Sequence, residues 1–92
     1  MAESIMQDKK ECYFCKSQSW LECHHIFGGA NRNLSEKYGL KVWLCHYCHN
    51  EPPQGVHHNR RNADMLRKLG QEAFNKQYPD KDFVSIFGRN FI

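Results

Sequence analysis

Leu40-Lys41-Val42-Trp43-Leu44-Cys45-His46-Tyr47-Cys48-His49 alternates apolar and polar residues up to a Cys-X2-Cys pair, then runs directly into a histidine. The alternation predicts a strand that delivers the cysteines. A second pair, Cys12 and Cys15, lies upstream with the same spacing. Two residues between cysteines form a tight turn that aims both sulfurs at one ion, so Cys12, Cys15, Cys45 and Cys48 are expected to share one tetrahedral Zn²⁺. The 29 residues from Lys16 to Leu44 exceed the usual zinc-ribbon insert. Inside them, Trp20 to Phe27 has the apolar and aromatic content of a strand, carries the adjacent pair His24-His25 and is halted by Gly28-Gly29. The two strands are expected to pair. Cys23 has no spacing partner and reads as a core thiol.

Ninety-two residues make one small domain. A chain of that size buries only about 60 to 65% of the surface its unfolded form exposes, so a staple is expected, and zinc is the natural candidate. The odd count of five cysteines and the clip spacing argue against a secreted disulfide framework, and Met1 to Glu11 lacks the apolar stretch of a signal peptide. A reducing cytoplasm fits best, and no segment approaches the roughly 18 to 20 apolar residues of a transmembrane helix. A net charge of +3 permits a nucleic acid partner without demanding one.

Residues 1–11 read as a flexible polar tail and 12–92 as the folded domain. Asn31 to Tyr38 is expected to hold a short helix or turn, capped by Asn31 or Asn33 and stopped by Gly39. Pro52-Pro53-Gln54-Gly55 breaks any helix begun at the second clip and leads to Val56-His57-His58. Beyond it, Leu66, Leu69 and Ala73, with Phe74 alongside, predict a helix over about 62–77, capped by Asn59 or Asn62 and weakened at Gly70. Tyr78-Pro79-Asp80 ends it. Asp80 is a candidate cap for a last short helix in which Phe83, Ile86 and Phe87 share a face. Tyr13, Phe14, Trp20 and Trp43 are assigned to the core.

Two adjacent histidines on a strand are hard to explain as packing, because strand side chains alternate and the pair must face opposite ways. His24 and His25 therefore mark a candidate site, with His49 fixed beside it by the zinc clip and His46 turned to solvent. Either His57 or His58 could reach a metal held by His24 and His49, or both could simply occupy an exposed helix lead-in; His57 is the preferred third ligand because it comes first out of the loop. His58 is assigned with Arg60 and Arg61 to phosphate contacts, since cations at a helix start oppose its dipole by some tenths of a kcal/mol and need another reason to be there.

The order Cys-X2-Cys, a strand ending in His-His-Ile, a return strand and Leu-Cys-X2-Cys-His resembles the HNH endonucleases of the ββα-metal (His-Me finger) group, especially the small zinc-stapled forms found in phage genomes. The resemblance covers residues 12–49 and, less closely, the helix that follows. It implies an α+β fold: a ββα-metal core with a structural zinc knuckle and C-terminal helices. It implies a DNA endonuclease in which His24 and His49 bind one catalytic divalent cation and His25 is the general base. Mg²⁺, Mn²⁺, Ni²⁺ and Zn²⁺ all remain open as that cation. The middle Asn of the HNH name has no counterpart at Tyr38-Gly39-Leu40, with Asn31 or Asn33 as substitutes, and the Pro-Pro loop is a second departure. DNA specificity would come from a partner protein or a structured substrate. The alternative from another class is a zinc-knuckle module that binds nucleic acid or protein without catalysis.

Overall fold

The computed structural model describes residues 3–92, so Met1 and Ala2 of the expected tail lie outside it. Strand β1 (Leu21–His25) pairs antiparallel with β2 (Lys41–Cys45), with Leu21 opposite Cys45 and His25 opposite Lys41. Because side chains alternate along a strand and directly paired residues share a face, Glu22 and His24 stand with Val42 and Leu44, while Cys23 and His25 stand with Lys41 and Trp43. Val42 and Leu44 are almost fully buried, so His24 lies on the core face and His25 on the other.

Between the strands, a 3₁₀ turn at Gly29–Asn31 leads into helix α1 (Arg32–Tyr38), which ends at Gly39 with φ of 72°, a left-handed conformation suited to glycine. Asn31 occupies the N-cap position without a side-chain cap bond; its amide donates instead to the Phe87 carbonyl. The buried Ser35 hydroxyl donates to the Phe27 carbonyl (2.8 Å) and accepts from the Phe27 N–H (3.0 Å). The Leu40 N–H bonds to the Ser35 carbonyl and the Ile26 N–H to the Leu40 carbonyl. These bonds fix α1 against the end of β1.

Helix α2 (His46–Asn50) starts where β2 stops, with Cys45 at its N-cap. Helix α3 (Arg60–Gln77) is capped by Asn59, whose side-chain oxygen accepts from the Asn62 N–H, and α4 (Phe83–Phe87) follows. Asp82, not Asp80, holds the N-cap position of α4. The buried stripe of α3 is Ala63, Leu66, Gly70, Gln71 and Phe74, whereas the expected Leu69 and Ala73 are only half-buried. The shift centres on Gly70: a Cβ there would lie 3.0 Å from Ile26 Cγ2 and 3.4 Å from the Phe27 ring. The residue expected to weaken the helix is where α3 packs against Ile26 and Phe27, just beyond β1. Phe27, Phe74, Phe83 and Phe87 close the core, with the Phe83 and Phe87 rings stacked at 4.4 Å.

Three expectations about side chains are corrected. Cys23 is exposed rather than a core thiol, because strand alternation turns it to the face opposite Val42 and Leu44. Trp20, 84% exposed, precedes β1 with φ of 57° and packs in no core. His46 is only half-exposed and bonds Glu22 and Glu51 at 3.2 and 3.0 Å. Residues 3–11, read as a tail, lie along β2: the Ile5 N–H bonds the Gly39 carbonyl, and the Gln7 side chain accepts from the Trp43 N–H. The whole is a small mixed helix and strand fold around a two-stranded antiparallel sheet, compatible with the α+β class. Among the described residues, no helix is long and apolar enough to cross a membrane.

Candidate metal centres and the groove beside them

The two Cys-X2-Cys clips meet. Cys12 and Cys15 lie in a turn closed by bonds from the Cys12 N–H to the Ser17 carbonyl and from the Lys16 N–H to the Cys12 carbonyl; the Tyr13 N–H bonds Trp43 and ties that turn to β2. Cys45 ends β2 and Cys48 sits in α2. All four sulfurs fall within 4.8 Å of one another, and Cys15 Sγ stands 3.6 Å from Cys45 Sγ. A tetrahedral zinc with bonds of about 2.3 Å has sulfur–sulfur edges of about 3.8 Å. The set can therefore hold a structural metal such as zinc.

Their closeness splits the acidities of Cys12 and Cys48. Burial opposes ionisation of Cys12, but backbone N–H groups of Cys15, Cys45 and Phe14 outweigh it and bring its thiol down to about 6. Cys48 moves upward, first through burial and then through the neighbouring sulfurs. Four sulfurs this close can all be thiolates only around a cation.

A second convergence uses imidazoles. His24 from β1, His49 from α2 and His57 from the loop after α2 bring one ring nitrogen each within 4.8 Å of the others. His24 Nδ1 is 3.3 Å from His49 Nε2, and His57 Nε2 is 2.9 Å from His49 Nε2. For metal–nitrogen bonds of about 2.1 Å, ligand edges run from about 3.0 Å in octahedral to about 3.4 Å in tetrahedral geometry. The Pro-Pro loop makes the third position. Gly55 folds back so closely that a Cβ would sit 2.7 Å from the backbone of Glu51, and the return sets the Val56 N–H on the Cys48 carbonyl and the His57 N–H on the His49 carbonyl. His57 thus lies beside His49 along the backbone.

Two of these imidazoles are held towards the neutral form that a metal ligand requires. Burial, followed by the nearby His49 and His57, lowers His24 to about 3, and burial with His49 and His58 moves His57 downward. Glu22 fixes His49: its Oε1 accepts from His49 Nδ1 at 2.6 Å, so Nε2 keeps its lone pair towards His24 and His57. The carboxylate is held below its usual range chiefly by that bond, with His46 adding to it. A carboxylate behind a histidine orients the ring and raises its basicity as a ligand.

His25, the last residue of β1, points to α1, where its Nε2 lies 3.0 Å from Glu36 Oε1. It does not join the other three rings, and Asn31 and Asn33 make no bond to it. His24, His25 and His57 line one face of a groove of about 880 Å³ whose other walls include His58, Arg60, Arg67 and Arg89. Arg60 and Arg67 flank Asp64 at 3.5 and 2.7 Å. Arg61, expected with Arg60, is exposed on α3 but is not among the groove residues.

Spacing does not flag Glu22, Glu36, Arg67 or Arg89. Strand alternation offers a signal for Glu22, two residues before His24 and so on its face, and Arg67 follows Arg60 by two helical turns. Nothing local marks Glu36 or Arg89, which arrive from α1 and the C-terminal segment. No family model, curated protein or solved structure matches this chain.

Proposed function

We propose that this chain is a metal-dependent DNA endonuclease of the ββα-metal kind, hydrolysing phosphodiester bonds with His25 as general base. The observation that carries the reading is the convergence of three imidazoles at the edge of an arginine-lined groove that also holds a fourth imidazole outside the cluster. A module that only binds nucleic acid has no use for a ligand set left open beside a free base. The antiparallel pair β1 and β2, with α2 directly after β2, is compatible with the two strands and helix of such a core, and the Pro-Pro loop returns His57 beside His49.

His24, His49 and His57 would hold one divalent cation, which when bound would supply positive charge to stabilise the negative charge that develops on the scissile phosphate. Three nitrogen donors favour Mn²⁺, Ni²⁺ or Zn²⁺ over Mg²⁺. His25 takes a proton from water as that oxygen attacks phosphorus and the bond to the 3′ oxygen breaks. Arg60, Arg67 and Arg89 hold flanking phosphates, with Asp64 keeping the first two guanidinium groups in place.

Purified protein incubated with supercoiled plasmid and Mg²⁺, Mn²⁺, Ni²⁺ or Zn²⁺ in turn should nick or cut it with at least one of them. His25→Ala should lower the rate at least about 10²-fold, the usual contribution of a general base, while retaining zinc and DNA binding. DNA binding without cleavage in every metal would establish the non-catalytic module instead.

A further inference from the structure

Lys41 is an ammonium on a strand, 9% exposed, directly across the sheet from His25. A buried lysine requires a partner, and it has one: its Nζ donates to Glu36 Oε2 at 2.6 Å. The other oxygen of that carboxylate faces His25 Nε2 at 3.0 Å. Three side chains from β1, α1 and β2 thus form one chain of contacts, and only its histidine end reaches the groove. The His24, His49 and His57 cluster uses none of it.

We infer that Glu36, anchored by Lys41, is the positioning residue for His25, setting its tautomer and ring orientation for proton abstraction; this rests on the endonuclease reading above. An ionised carboxylate only accepts hydrogen bonds, so the ring nitrogen facing it carries the hydrogen. In neutral His25 that leaves the lone pair on Nδ1, the one ring nitrogen able to take a proton from water. Without Glu36, both tautomers and more than one ring orientation are open, and a fraction of molecules presents N–H where a base is needed.

Lys41 explains why the carboxylate orients and does not itself accept the proton. The bond from Lys41, then that from His25, hold Glu36 down to about 2, far from the range in which it would compete with an imidazole. The backbone supports the placement: Ser35, next to Glu36, is the residue whose hydroxyl and carbonyl fix α1 to Phe27 and Leu40. Glu36 therefore stands next to the residue that ties α1 to Phe27 and Leu40.

Glu36→Ala alone would strand a buried ammonium and endanger the fold, so the comparison is made on a Lys41→Met background. Lys41→Met and the double variant Lys41→Met, Glu36→Ala are assayed for cleavage of a DNA duplex with Mn²⁺. Adding Glu36→Ala should lower kcat about 10²-fold, within the range for losing general-base function, with KM for DNA and the Mn²⁺ requirement changed less than about threefold. Nitrogen-15 NMR of the side chains should show His25 as the Nε2–H tautomer in the wild type and in Lys41→Met, and a mixture in the double variant. Equal kcat in the two variants, or a wild-type His25 carrying its hydrogen on Nδ1, would overturn the role of Glu36 while leaving the endonuclease reading intact. Absence of wild-type cleavage in every metal removes both.

Discussion

Four sulfurs and three imidazoles are gathered through consecutive residues of one five-residue helix: Cys48 of α2 completes the thiol cluster, and His49 belongs to the imidazole cluster. The thiol cluster has a full tetrahedral set, and Cys12, Cys45 and Cys48 are buried. The imidazole cluster has three ligands, grades from half-buried His24 and His49 to exposed His57, and borders the groove. A complete, closed set is the signature of a structural metal; an incomplete set facing solvent keeps positions for water or substrate. On the proposed reading, one cluster serves stability and the other chemistry, and α2 is the part through which failure of the first would disable the second. Four experiments can break or sharpen that division.

The largest effect should come from the thiols. Strong chelation, or Cys48→Ser, should unfold the chain cooperatively. Apparent metal contributions of about 10 to 16 kcal/mol in small zinc domains are comparable to the roughly 5 to 15 kcal/mol of total stability available to an ordinary domain. Circular dichroism with metal analysis checks this; a zinc-free chain with the same melting temperature would put the stabilising role elsewhere.

His57→Ala should leave the melting temperature nearly unchanged but raise the Mn²⁺ concentration for half-maximal cleavage by about 10 to 100-fold, the range seen when a metal site loses support. His58→Ala, whose ring is absent from the three-nitrogen cluster, should not alter that requirement. If the two variants titrate alike, the site has two protein ligands and the distinction between complete and incomplete sets changes character.

Glu22→Gln tests the same site from behind. The amide oxygen can still accept from His49 Nδ1, but the negative charge is lost, so Mn²⁺ affinity should fall by about tenfold without loss of structural zinc. Isothermal titration with Mn²⁺ reads this directly, and simultaneous loss of zinc would show that the two clusters are not separable at α2.

The unequal legibility of the two clusters has a physical cause. Thiol pairs with two residues between them are local, so Cys12, Cys15, Cys45 and Cys48 declare themselves in sequence, while apolar and aromatic content locates β1 and period-two alternation locates β2. His57 reaches His49 only because a loop of prolines and glycine turns the backbone around, a contact that spacing suggests as a choice between His57 and His58 but does not decide. Glu36 and Lys41 depend on how α1 rests against the strands, which Ser35 determines through bonds to residues several positions away. On α3, helical periodicity found the element but misplaced its buried stripe towards Leu69 and Ala73, because a glycine counts as apolar nowhere in a pattern, yet can be the site of closest approach. Cys23 and Trp20 show the opposite error: residue types that are usually buried were assigned inward, and strand alternation and a left-handed backbone turned them outward.

The smallest effect concerns the groove. Arg89 stands 5.0 Å over the Phe91 ring on a C-terminal segment tied to α3 by bonds from Gln71 to Asn90 and from the Phe91 N–H to Gln71. That tie holds a cation in the groove that His24 and His25 also line, whereas Arg61 is exposed and not among the groove residues. If Arg89 contacts one phosphate, Arg89→Ala should weaken duplex binding a few-fold in moderate salt and reduce the slope of log affinity against log salt by about one. Arg61→Ala should leave both nearly unchanged, and neither should shift the Mn²⁺ requirement or the melting temperature. Fluorescence anisotropy at several salt concentrations separates the two. Equal slopes for both variants would mean that the groove does not select which arginines meet DNA, and that the open face of the imidazole cluster is approached from another side.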